Sequence, residues 1–532
     1  MLLPPLQLSL PSHPYKLLTF ECMHNWEKWL CCGCRRGEFP RLQELYIKKC
    51  PKLTGKLPKQ LRSLKKLEIV GCPQLLVASL KVPAISELTM VDCGKLQLKR
   101  PTSGFTALQT SHVKISNISQ WKQLPVGVHR LSITECDSVK TLIEEEPLQS
   151  KTCLLKYLEI TYCCLSRSLR RVGLPTNALE SLKISHCSKL EFLLPVLLRC
   201  HHPFLKNIHI RDNTCDSLSL SFSLSIFPRL RCFEISKLQG VEFLYISISE
   251  EDPTSLNYLN ISWCPDVVYI ELSTLDLASY EISGCLKLKL LKHTLSTLRC
   301  LRLFHCPELL FQRDGLPSNL RELEISSCDQ LTSQVDWGLQ RLASLTTFNI
   351  RGGCQEVHSL PWECLLPSTI TTLRIERLPN LKSLDSKGLQ QLTSLSNLYI
   401  GDCPEFQSFG EEGLQHLTSL ITLSISNCSE LQSFGEEGLQ HLTSLETLSI
   451  CCCPKLKSLT EAGLQHLSSL EKLHISGCPK LQYLTKERLP NSLSSLVVYK
   501  CSLLEGRCQF GKSQDWQYVA HIPHIIINDV LY

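Results

Sequence analysis

No apolar run in this 532-residue chain approaches the roughly 18 residues needed to cross a membrane, so no membrane span is expected. The opening MLLPPLQLSLPS is apolar, but it lacks a basic leading stretch and prolines interrupt it at once, which argues against a secretion signal. No Ser/His/Asp or Cys/His set stands out, and the carboxylate pair Glu411/Glu412 comes with no pocket that a sequence can show. Catalysis is therefore not expected. Cys31, Cys32 and Cys34 supply a C-x-x-C spacing without the second ligand pair that a structural zinc site requires, so no metal is expected there.

The sharpest apparent chemistry is also incomplete. Residues 506–513, GRCQFGKS, match G-x-x-x-x-G-K-[ST], whose backbone amides cradle phosphates while Lys512 and Ser513 would meet phosphate and magnesium. Only 19 residues follow Ser513, too few for the helix, parallel strands and acidic magnesium partner of a nucleotide-binding domain. No cofactor is expected. His416, His441 and His466 recur every 25 residues, which repetition explains without a metal. Cys451, Cys452 and Cys453 alternate across a strand and cannot converge on one ion.

What the chain has in abundance is one phrase, L-x-x-L-x-I-x-x-C-x-x-L, seen in Leu445 to Leu456 as LETLSICCCPKL. Nineteen good copies open between Leu42 and Leu493, and degenerate copies near Tyr15 and Leu108 would make twenty-one. Spacings run from 20 to 27 residues and settle at 25 for six consecutive intervals from Leu320 to Leu470. That is the period of a leucine-rich repeat. The period-two alternation of Leu and Ile predicts a short strand with one face inward. Stacked copies then bury one continuous core that no single copy could bury. The expected fold is an α/β repeat solenoid, a horseshoe with a concave parallel sheet and an irregular or short-helical convex side. Residues 1–41 read as an irregular segment with a degenerate repeat, 42–504 as the repeats, and 505–532 as a cap over the open end of the stack. Leucines three apart at Leu414, Leu417 and Leu420 suggest one or two helical turns on the convex side.

Fifteen of the thirty cysteines occupy the same repeat position, from Cys50 to Cys501, which makes them a ladder. A small, half-buried thiol at that turn acts as a compact hydrophobe with a weak donor. So many free thiols suit a reducing, cytoplasmic setting, and the sequons at Asn117, Asn260 and Asn427 are then chance matches. The net charge of +6 is uneven: residues 1–100 hold 17 Lys and Arg against 7 Asp and Glu, while the rest is slightly acidic. The cluster Lys48, Lys49, Lys52, Lys56, Lys59, Arg62, Lys65 and Lys66 fits a solvated face or a dock for an acidic neighbouring domain better than a nucleic-acid footprint.

Residues between the core positions of each strand face outward and differ from copy to copy. Arg302, Phe304, Arg351, Arg374 and Tyr399, with Trp263 just past its strand, supply the Arg and aromatic mixture of interface hot spots and are the candidate protein-binding residues.

With the repeats laid out, the chain resembles the leucine-rich-repeat portion of plant coiled-coil-class disease-resistance proteins that carry a nucleotide-binding switch. The resemblance rests on the Cys-containing repeat together with FPRLQELYIKKCPKLTGKLP at 39–58, LPVGVHRLSITECDSVKTLIEE at 124–145, GLQHLTSLETLSICCCPKLKSL at 438–459 and DWQYVAHIPHIIIND near the end. It implies a scaffold that senses a pathogen effector or a guarded host protein. It also implies a switch domain lying against the basic N-terminal repeats, and no switch motif is read ahead of the repeats here. The alternative is the substrate-binding repeats of a ubiquitin-ligase adaptor, which would call for an F-box helix that residues 1–41 do not resemble.

Overall fold

The computed structural model describes residues 6–9, 15–30, 39–75, 77–78, 87–97, 112–115, 129–134, 155–163, 178–192, 202–248, 256–332, 338–507 and 515–531, apart from short interruptions within them. Two compact units, Met1–Asn260 and Ile261–Tyr532, make up the chain. Each is a stack of parallel strands with few helices, a leucine-rich-repeat solenoid.

In the first unit ten parallel strands follow one another in chain order: β1 (Leu17–Glu21), β2 (Glu44–Lys48), β3 (Lys66–Cys72), β4 (Glu87–Cys93), β5 (His112–Ile115), β6 (Arg130–Thr134), β7 (Tyr157–Thr161), β8 (Ser181–Ser185), β9 (Asn207–Arg211) and β10 (Cys232–Ser236). Strand β11 (Tyr258–Ser262) lies across the unit boundary. The second unit continues with β12 (Ser279–Ser283), β13 (Cys300–Phe304), β14 (Glu322–Ser326), β15 (Thr347–Arg351), β16 (Thr372–Glu376) and β17 (Asn397–Gly401). After them come β18 (Thr422–Ser426), β19 (Thr447–Cys451), β20 (Lys472–Ser476), β21 (Ser495–Tyr499) and β22 (His524–Ile527), all parallel, and β23 (Val530–Leu531), which pairs antiparallel with β22.

Each of the nineteen sequence copies carries a strand that begins two residues after its opening residue, as Leu445 precedes Thr447. The register is unshifted from strand to strand, so equivalent residues form columns. One repeat shows why. Leu445, Leu448, Ile450, Cys453 and Leu456 are fully buried, while Thr447, Ser449 and Cys451 stay partly exposed on the other face. A one-residue slip would exchange those faces, and the cost of exposing the leucines fixes the register. The strand β22 lies in the tail, where the repeat phrase is broken, and its run Ile525 to Ile527 pairs with β21.

The cysteine ladder is buried outright, not half-buried as the sequence suggested. All thirteen of its described members are at most 1% exposed, and all nineteen described cysteines of the chain are free thiols. Each thiol sits just past its strand and donates to the carbonyl two residues back, as Cys403 does to Gly401 at 3.2 Å and Cys306 to Phe304 at 3.4 Å. Burial pushes the Cys428 thiol up to about 12, and contact with Cys453 does the same for Cys478. Such thiols are inert toward nucleophilic chemistry.

The residue before each ladder cysteine takes a left-handed backbone conformation, and there the sequence pattern was silent. Glycine or Asn holds it at Gly71, Gly284, Asn427 and Gly477, but Lys49, Tyr162, His186, Trp263 and His305 hold it too, with φ between 52° and 56°. The conformation costs a non-glycine residue about 1–2 kcal/mol. It is offset by an amide bond to the next strand, as from Asp402 N to Ser426 O at 2.9 Å.

The convex side is irregular with short helical turns, as the leucine spacing predicts. Leu339–Arg341 and Leu464–His466 are single 3-10 turns, Ser386–Gln390 is a short α-helix, and the equivalent segments at 414–416 and 438–441 are turns. The leucines of these segments, such as Leu414, Leu417 and Leu420, all point into the core. A 25-residue coil that must return to the next strand leaves no length for a second helical turn. Glu411 and Glu412 lie outside the described residues.

Candidate protein-recognition face

In the second unit the registered strands β13 to β17 bring five of the six sequence-chosen residues together. Arg302, Glu324, Asn349, Arg374 and Tyr399 are consecutive register partners, forming one column down the exposed face of the sheet. Phe304, Ser326, Arg351 and Glu376 form the column beside it. The side chains are tied to one another. Arg302 donates through Nη2 to Glu322 at 3.0 Å and lies 3.5 Å from Glu324 through Nε. Glu376 receives Arg374 at 2.9 Å and stands 3.7 Å from Arg351. The Arg374 guanidinium lies 4.4 Å from the centre of the Tyr399 ring, within cation–π range.

This network holds long side chains in place before any partner arrives, which lowers the entropy cost of binding. It also leaves polar capacity over. Burial raises the Glu324 carboxyl above its ordinary range, with Arg302 drawing it back down. Between Glu324 and Arg374 in the register, the Asn349 side-chain oxygen is buried and has no hydrogen-bond partner. A buried acceptor without a donor costs about 1–3 kcal/mol.

Trp263 is placed elsewhere. It follows β11 in the left-handed position, so the turn carries it off the strand columns to the edge of the sheet. It is 56% exposed, its ring lies over Gly284, and it stacks 6.4 Å from His305, centre to centre, at 25°. A Cβ on Gly284 would come within 2.6 Å of that ring, so glycine there is what lets the indole lie flat. Further along the same edge, Arg377 reaches Asp402 at 3.4 Å and Asn427 donates to Asp402 at 2.7 Å.

The other sequence candidates resolve as follows. His416, His441 and His466 each lie within 3.3 Å of the glutamine that precedes them. Cys451 is half-buried, Cys452 exposed and Cys453 buried, so the three diverge. In the phosphate-loop match, Arg507 ends the helix Ser502–Arg507 and pairs with Asp515 at 2.6 Å, while residues 508–514 lie outside the described residues, as do Cys31, Cys32 and Cys34. In the basic cluster, Lys48 pairs with Glu68 at 2.9 Å and Lys66 with Glu87 at 3.0 Å, so two of its charges are already met. Among the described residues one group of potential metal ligands stands close, His209, Cys232 and Glu234 in the first unit. No described helix is long and apolar enough to cross a membrane.

No family model matches the chain. A disease resistance protein of Arabidopsis thaliana is 33% identical over 300 residues, 55% of this chain and 21% of that protein. A disease resistance RPP13-like protein 1 from the same plant is 41% identical over 63 residues, 12% of this chain and 6% of its own length. The chain thus spans about a fifth or less of the curated relatives it matches. Among solved structures, TLR13 in its complex with ssRNA13 aligns with 84% of this chain and 72% of its own at a TM-score of 0.46 and 17% identity. A circular leucine-rich-repeat protein, CroV588, aligns with 92% of this chain and 72% of its own at a TM-score of 0.40 and 13% identity. The chain is a leucine-rich-repeat solenoid, similar over about half of its length to part of a plant disease resistance protein.

Proposed function

We propose that this chain is the protein-recognition scaffold of a plant innate-immune receptor, sensing a pathogen effector or a guarded host protein, and that it is not an enzyme. The observation that carries the reading is the registered pair of columns on β13 to β17, where Arg302, Glu324, Asn349, Arg374 and Tyr399 follow one another down the sheet. Fixed Arg and aromatic side chains are the composition of an interface centre. The free, buried thiols support a cytoplasmic setting. The switch domain that the sequence resemblance implies would lie against the basic N-terminal repeats, and the tail with β22 and β23 would act as the cap.

The test is the combined substitution Arg302→Ala, Phe304→Ala, Arg374→Ala and Tyr399→Ala. All four side chains lie on the exposed side of the strands, so the far-ultraviolet circular dichroism of the array should be unchanged. Co-precipitation of the recognised protein from infected leaf tissue should fall at least a hundredfold, the sum of about 3 kcal/mol from two hot-spot residues. Undiminished capture by the folded variant would remove the assignment.

A further inference from the structure

On the exposed face of the first unit, three residues of different chemistry converge. His209 is the central residue of β9 and the direct register partner of Glu234 on β10; Cys232 lies two residues before Glu234 and so shares its face. His209 Nδ1 is 2.8 Å from one carboxylate oxygen of Glu234, and Cys232 Sγ is 3.5 Å from the other. All three ligand atoms lie within 4.8 Å of one another.

We propose that His209, Cys232 and Glu234 form a binding site for a divalent transition metal, with Zn²⁺ as the best fit. One imidazole, one thiolate and one carboxylate make a borderline-soft donor set suited to zinc and unsuited to magnesium or calcium. Three protein ligands are the number found in zinc sites that keep a fourth position open, and that position would be taken by water or by a side chain of a bound protein. In the absence of metal, Glu234 bridges the other two, one oxygen to each. A cation placed among them replaces those two contacts, and the thiol releases its proton to solvent on binding.

The surroundings favour a cation. The neighbouring Lys183, register partner of His209 on β8, is held by Glu159 at 2.7 Å, and Lys206 is held by Glu180 at 2.8 Å. Two parallel, hydrogen-bonded strands fix the relative positions of the three Cα atoms, so only side-chain rotations are needed to close the site. The ligands are 23 and 25 residues apart in sequence, a separation that no short metal motif covers. They come together because one repeat of the coil brings position 209 beside 234.

The probe is Co²⁺ added to the reduced full-length chain, followed by Zn²⁺ competition against a chromogenic chelator. The expected result is one equivalent of Co²⁺ with a sulfur-to-cobalt charge-transfer band and the visible bands of a four-coordinate ion. His209→Ala, Cys232→Ser and Glu234→Gln should each weaken binding at least tenfold while the circular dichroism of the folded chain is retained. Cys452→Ser, at an exposed thiol elsewhere, should change nothing. The proposal is overturned if the wild type shows no thiolate–cobalt band, or if the band survives Cys232→Ser.

Discussion

Replacing Asn213 by Ala is expected to destabilise the first unit locally by about 3 kcal/mol, the cost of leaving buried backbone groups without partners. Asn213 occupies the ladder position in a repeat that lacks the cysteine, and it is fully buried. Its amide donates to Ile184 O at 3.1 Å and Arg211 O at 3.0 Å, and its oxygen accepts from Cys187 N at 2.8 Å. Cys501 makes the equivalent three contacts one residue for one: it donates to Ile475 O at 3.9 Å and Tyr499 O at 3.4 Å and accepts from Cys478 N at 3.4 Å. The thiol is a longer and weaker version of the amide. Asn213→Cys should therefore cost about 1 kcal/mol, well under the alanine variant, because a weak donor and acceptor remains. Hydrogen exchange at the Cys187 amide checks both. It should speed up about a hundredfold in the alanine variant and tenfold or less in the cysteine variant. Equal acceleration in both would mean that volume, not hydrogen bonding, sets the ladder.

Trp26→Ala should cost about 3–5 kcal/mol, the range for truncating a buried tryptophan. Trp26 is 1% exposed and packs within 4.8 Å of Phe20 and 5.5 Å of Trp29, ring centre to ring centre, with Phe39 touching Trp29 at 6.1 Å. Its indole N–H is satisfied by Lys28 O at 3.0 Å. In a solenoid each coil is held by its neighbours alone, so the loss should be felt near this cluster and not in distant repeats. The amides of β1 and β2 should lose protection, while those of β18 to β20 exchange as in the wild type. Protection lost evenly along the chain would show a cooperativity that nearest-neighbour stacking does not predict.

The buried half of the fold was legible because leucine, isoleucine and cysteine recur at positions where only apolar side chains survive stacking. Their spacing located nineteen copies, each of which carries a strand beginning two residues after its opening residue. The left-handed residue before each cysteine was not legible, since Lys49, Trp263 and Asp402 share a conformation and no chemistry. The strand β22 was legible only as an apolar run in the tail, because HIII carries the alternation in a single copy without its flanking phrase. On the candidate face, register alone put Arg302, Arg374 and Tyr399 in one column. Sequence spacing could not show that Arg302 is shared between Glu322 and Glu324, because its rotamer is chosen by neighbours on the next coil of the stack. The same limit hid the convergence of His209, Cys232 and Glu234.

The central claim is that the face built by β13 to β17 meets a protein partner, and site-specific photo-cross-linking tests it most directly. A photoreactive phenylalanine analogue would be placed at Tyr399 on the strand face and, separately, at Gln440 on the convex side, and each chain expressed in infected leaf tissue. A discrete cross-linked protein from position 399 and none from position 440 is the predicted result. The same product from position 440, with none from 399, would contradict the account and move recognition to the other side of the solenoid.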